Sequence, residues 1–162
     1  MCIRDRLNST KFGIPYAKKP LIFKGIYKYT PGDNYVDGSD KKNVLEHLEI
    51  VDECSIMAVL YEAVDSEGKE VILTGHDIAS SEYRVAVAVL EDGGAKAEWT
   101  TFELPFNNLD GKSYDMSKSY KLAIVCSSSK DGAAFKGAVN STLIIDELEV
   151  IGCLLYTSDA AD

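Results

Sequence analysis

Short apolar runs, each stopped by turn chemistry, limit what this chain can fold into. The clearest, Arg84-Val-Ala-Val-Ala-Val-Leu90, alternates along its length and stops at Glu91-Asp92-Gly93-Gly94. A period of two is the repeat of a half-buried strand, and the Gly-rich stop reads as a strong turn. Leu21 to Tyr29 splits the same way. One parity carries Leu21, Phe23, Gly25, Tyr27 and Tyr29, and the other carries Ile22, Lys24, Ile26 and Lys28. The lysines mark the second face as partly wet. Thr30-Pro31-Gly32-Asp33-Asn34 ends that run, because proline lacks a donor and Gly-Asp-Asn favours a turn.

Further runs follow at regular spacing. Ser55 to Tyr61 is almost continuously apolar, as expected of a strand covered on both faces. Asp65-Ser-Glu-Gly68 reads as a hairpin-like turn into Val71-Ile-Leu73. Trp99 to Phe106 alternates, with Pro105 at a strand end or edge. Tyr120 to Cys126 and Thr142 to Ile151 complete the series. In the last, Ile144, Leu148 and Val150 are expected to face inward and Glu147 and Glu149 outward. Asp146 then falls on the apolar parity, as a carboxylate that must find partners. Only Lys41 to Val51 has helical spacing, and because it leads straight into a strand it is read as strand or irregular. About seven short strands with Gly/Asp/Asn turns predict an all-β jelly roll or sandwich of two antiparallel sheets.

Charge and motifs exclude several functions. With 17 Lys+Arg against 26 Asp+Glu the formal charge is −9, which disfavours nucleic acid and anionic membrane surfaces. No apolar run nears the roughly 20 residues of a membrane span. His47 and His76 are the only histidines, and neither has a partner at metal-ligand spacing. The nucleotide-binding and hydrolase motifs are missing. Ser127-Ser-Ser-Lys130 lacks a helical S-x-x-K context and reads as a polar turn. Glycosidase chemistry would need two carboxylates. Of the acids on predicted strands, Glu147 and Glu149 read as a solvated face. No cofactor is expected. Asp33 to Asp40 begins like a calcium loop, but Val44 stands at position twelve, so a structural calcium has no supporting motif. Cys54 and Cys126 read as buried free thiols rather than a disulfide.

The termini read differently from the rest. Residues 1–6 and 153–162 resemble translated sequencing-adapter sequence, leaving a single domain over 7–152. Several segments within it resemble the putative carbohydrate metabolism domain of Bacteroidetes proteins. They are Phe12-Gly-Ile-Pro-Tyr16 with Pro20, Lys24 to Gly32, Ala58 to Glu62, and Trp99 to Phe106. The most specific is Tyr120 to Gly132 with Phe135, Gly137-Ala-Val139, Ser141-Thr-Leu143 and Asp146. Gly132 and Gly137 suggest unusual dihedrals or close backbone approach. Asn140 stands where the family often has Gly, and Asn tolerates the left-handed region best after Gly. Ile26 and Met57 stand where aromatic residues are expected.

The resemblance implies a jelly roll similar to carbohydrate-binding modules, lacking one or two N-terminal strands, within a larger exported protein (periplasmic or cell-surface). The partners it implies are a glycan or polysaccharide and other domains of that protein. Sugar CH faces pack on aromatic rings and hydroxyls seek planar polar groups. The candidate residues are therefore Tyr27, Tyr29 and Trp99 for stacking, with Ser128, Lys130 and Asp131 for hydrogen bonds. Fully buried rings would defeat the stacking assignment. A structural or docking domain without glycan affinity is the alternative, and a glycoside hydrolase is a third reading.

Overall fold

A computed structural model describes residues 7–154. Its strands are β1 (Ile14–Tyr16), β2 (Lys19–Thr30), β3 (Asn34–Asp37), β4 (Leu45–Leu48), β5 (Ser55–Glu62) and β6 (Arg84–Val89). They continue with β7 (Lys96–Pro105), β8 (Asn107–Asn108), β9 (Tyr120–Ser127), β10 (Lys136–Val139) and β11 (Thr142–Cys153). A five-stranded sheet runs β1-β9-β5-β6-β8, and a three-stranded sheet runs β11-β2-β7. A second three-stranded sheet, β10-β3-β4, is built from the segments that leave β2 and enter β11. Every pairing is antiparallel. The chain is an all-β sandwich, as its run pattern predicts.

Parity decides which side chains enter the core. On β2, Phe23, Tyr27 and Tyr29 are buried while Ile22, Lys24, Ile26 and Lys28 lie on the other face. Phe23, Tyr27, Tyr29 and Phe102 pack against Ile56, Ala58 and Ala88 of the five-stranded sheet. Phe102 makes edge contacts with both Phe23 and Tyr27, at centroid distances of 5.3 and 5.9 Å. Burying one such ring contributes about 1.5–3 kcal/mol, so these residues dominate the sheet-to-sheet interface. The opposite face of β5 carries Val59 and Tyr61. They are covered by Val71, Leu73 and Ile78 from the long β5–β6 connection. Both faces of β5 are therefore dry, which explains its unbroken apolar run.

Two local expectations change, on β11 and at Cys126. The Glu91 to Gly94 turn ends β6 and leads across to the other sheet, because β6 and β7 belong to different sheets. Gly93 is buried with Cys54 O only 2.0 Å from where a Cβ would sit, and its carbonyl accepts from the Cys54 N–H at 2.9 Å. On β11 the parity breaks at a bulge between Asp146 and Glu149, with Glu147 at φ 54°. Leu143, Ile145 and Val150 consequently pack on the core, while Ile144 and Asp146 are exposed. Cys54 is buried as expected, but Cys126 is exposed, and both thiols are free. The Lys41 to Val51 segment contains β4. The terminal segments singled out as foreign lie mostly outside the described residues, and β11 runs through Cys153.

Candidate functional site: a clasped cleft at one rim

Among the described residues, Asp52 is the one polar or charged side chain that is buried, at 2% exposure. It lies just before β5, where the chain enters the sandwich. A carboxylate there must be met by donors. Its Oδ2 accepts from Ser129 Oγ at 2.5 Å, Ser141 Oγ at 2.7 Å and the Ala138 N–H at 2.8 Å, and its Oδ1 accepts from the Glu53 N–H at 2.9 Å. Ser141 Oγ in turn accepts from the Gly32 N–H at 3.1 Å. One carboxylate thus ties together the segment before β5, the loop after β9, strand β10 and the turns flanking β2 and β11.

The small residues of the clasp follow from its tightness. A Cβ on Gly137 would fall 2.6 Å from Ser129 Oγ and 2.7 Å from its Cβ, so the position needs glycine for close approach. Gly132 opens a 3₁₀ turn (Gly132–Ala134) with space around it and carries no comparable constraint. Asn140 takes the left-handed conformation expected of it, at φ 68°.

The clasp holds one side of an open cleft of ≈ 340 Å³. Two ion pairs line it, Lys130 Nζ to Glu53 Oε2 at 2.5 Å and Lys136 Nζ to Asp37 Oδ2 at 2.8 Å. Lys136 and two hydrogen bonds from Ser39 hold the Asp37 carboxyl down at about 2. The Lys130 N–H also donates to Glu53 O at 2.8 Å, so backbone and side chain fix the same register. Asp131 lines the cleft too, and among the described residues its carboxylate makes no hydrogen bond or ion pair. Tyr35, Ile50 and Val51 supply apolar wall.

The expected site residues divide. Lys130 and Asp131 come together in this cleft. Ser128 turns its carbonyl to the buried Tyr29 hydroxyl, which donates to it at 2.8 Å, so this pair braces the loop from beneath. Tyr27 and Tyr29 are each 1% exposed, and their rings belong to the core and present no face to a ligand. The stacking role expected of them is withdrawn, for the parity that set them beside Phe23. Trp99 is 46% exposed on the outer face of the β11-β2-β7 sheet, with Lys28 Nζ 5.3 Å from its ring centroid. It does not line the cleft. Asp52, Glu53 and Asp37 were missed as members of one site.

Other chemistry finds no assembly here. The expected buried Asp146 is exposed, and its Oδ1 accepts from the Glu147 N–H at 2.7 Å. Glu103 and Glu149 flank Lys24 on the flat outer face, and Lys24 pairs with Glu149 at 3.0 Å. In the acidic turn, Asp37 is engaged by Ser39 and Lys136, and Asp40 by the Lys42 N–H. Among the described residues no three His, Cys, Asp or Glu side chains converge as metal ligands. No described helix is long and apolar enough to cross a membrane.

The Asp52 clasp joins segments that carry the resemblance, and comparison with known proteins agrees. The model of the putative carbohydrate metabolism domain matches residues 1–151. The chain belongs to this family. A solved structure described as a putative glycoside hydrolase from Bacteroides thetaiotaomicron VPI-5482 is 37% identical, with a TM-score of 0.79. It aligns over 91% of this chain and 42% of its own length. A second, described in the same words and from Bacteroides vulgatus ATCC 8482, is 35% identical with a TM-score of 0.74, over 91% of this chain and 57% of its own. The chain thus spans about half the length of these relatives. No curated protein matches it.

Proposed function

We propose that this family member is a non-catalytic carbohydrate-binding module of a larger exported protein, with the rim cleft as its glycan site. The observation that carries the reading is the clasped cleft itself. Charged groups whose backbone is already fixed make good partners for sugar hydroxyls, since little ordering remains to oppose binding. Among the described residues no hydrogen bond occupies the Asp131 carboxylate, which offers an acceptor, and Lys130, paired with Glu53, offers its remaining donors beside it. The family description and the names of the solved relatives support a role in carbohydrate metabolism.

Catalysis by this cleft is the weaker reading. A glycosidase needs a carboxylic acid that stays protonated near neutral pH. Asp37 is held at about 2 and paired with lysine, and Glu53 is likewise lysine-paired. A structural or docking role has one observation in its favour. The outer face of the β11-β2-β7 sheet exposes Trp99, Ile144 and Ile151, a surface another domain could cover.

The test is a glycan array probed with folded wild-type protein and the Lys130→Ala, Asp131→Ala and Trp99→Ala variants. Selective binding weakened about tenfold by either rim change, and untouched by Trp99→Ala, is expected. Binding abolished by Trp99→Ala alone would move the site to the sheet face. No binding by folded protein to any host or plant glycan would favour the docking role.

A further inference from the structure

The opposite end of the sandwich holds a second set of groups. β5, eight residues at roughly 3.3 Å each, separates the two ends by about 23 Å. Two hollows of ≈ 330 and ≈ 260 Å³ lie there, and the ring of Tyr114 lines both. Each is near the lower end of the roughly 300–1,000 Å³ typical of small-molecule sites. Tyr114 is half-buried and rests on Tyr120, with centroids 4.8 Å apart and planes 23° apart. Tyr120 is itself buried, and its hydroxyl accepts from the Asp115 N–H at 2.8 Å, so the stacked pair is anchored in the core. Tyr16 walls the first hollow. Phe106 lines the second, beside the exposed side chains of Asn107 and Asn108.

This combination is distinct from the rim cleft. There the lining is charged and already ion-paired. Here a fixed aromatic ring, one face covered by Tyr120, borders two hollows, with two exposed amides alongside the second. Aromatic faces take the CH side of a pyranose, and planar amides can accept from one hydroxyl while donating to another. We infer that the Tyr114 groove is a second carbohydrate site: Tyr120 covers one face of Tyr114, so the ring offers its other face to one pyranose of an oligosaccharide, with the Asn107 and Asn108 amides beside it. The inference rests on the glycan-binding reading, but it places a separate site on residues that the rim does not use.

The ¹⁵N-labelled full chain, titrated with millimolar cellohexaose, xylohexaose and mannohexaose, provides the test. Saturable amide shifts at Asn107, Asn108 and Tyr114 with at least one hexasaccharide are expected, and they should persist in the Lys130→Ala and Asp131→Ala variants. Tyr114→Ala should weaken that affinity about tenfold, while Tyr114→Phe keeps it. Should Tyr114→Ala fail to fold, the doubly exposed change Asn107→Ala with Asn108→Ala weakens binding at unchanged Tm. Shifts at the rim alone overturn the groove and leave the rim reading intact. Shifts at the groove alone support the groove and overturn the rim site. Silence at the groove with all three sugars, or groove shifts indifferent to both the Tyr114→Ala and the double Asn change, also overturns the inference.

Discussion

Replacing Asp52 by alanine tests the clasp most severely. The carboxylate accepts four hydrogen bonds, from Ser129, Ser141, Ala138 and Glu53. Hydrogen bonds to a charged group contribute about 1.5–3 kcal/mol each, so the gross loss is about 6–12 kcal/mol. Part of this is offset, because the variant no longer desolvates a carboxylate, a cost of several kcal/mol. The net destabilisation is expected to be about 3–5 kcal/mol, the gross loss less that desolvation cost, with the neutral donors of Ser129, Ser141, Ala138 and Glu53 left unpaired. For a domain of this size that lowers Tm by roughly 6–20 °C. Asp52→Asn separates charge from shape. Whichever way the amide is turned, its NH2 meets a backbone N–H, that of Ala138 or of Glu53. It should therefore cost about 1–3 kcal/mol. Urea unfolding of the three proteins, followed by far-UV circular dichroism, reads both values. A loss below about 1 kcal/mol for Asp52→Ala, at unchanged m-value, would refute the reasoning.

Three further outcomes follow from the same geometry. Gly137→Ala should push Ser129 away from Asp52 and destabilise the fold by about 1–3 kcal/mol in the same urea assay, since the added Cβ meets Ser129 within 2.7 Å. Asn140→Gly should leave stability within about 0.5 kcal/mol, whereas Asn140→Ala should cost about 1–2 kcal/mol, because the residue sits at φ 68°. Asp37 has its folded value lowered to about 2 from 3.8, so its contribution is present above pH 3.8 and lost as pH falls through about 2. Urea midpoints measured between pH 2 and pH 5 should therefore fall more steeply for wild type than for Asp37→Asn.

The alternation from Ile22 to Tyr29 of β2 and the two-sided apolar run of β5 were legible because the period holds there; it fails at Leu21, which is exposed beside a register shift against β11. The same parity that defined the core face argued against Tyr27 and Tyr29 as ligand platforms. On β11 the period misled, because the bulge at the left-handed Glu147 inserts one extra residue against β2 and so reverses the parity. The Glu91 to Gly94 turn was visible, but whether a turn closes a hairpin or crosses between sheets depends on partners far away in sequence. Asp52 was invisible for a related reason. It stands among Val51, Glu53 and Cys54 with no local partner except the Glu53 N–H, and its other donors lie 77, 86 and 89 residues on. The available signal was the spacing of Ser129, Gly137 and Ser141. Two hydroxyls converging on a closely packed glycine call for a shared acceptor.

Whether the rim cleft holds a glycan is decided most directly by a crystal structure of the domain with the strongest ligand from the array. The expected result is an uncleaved sugar in the cleft, its hydroxyls within hydrogen-bonding distance of the Asp131 carboxylate and Lys130 Nζ. An empty rim cleft with sugar bound elsewhere, or a hydrolysed product in the cleft, would contradict a non-catalytic binding site there.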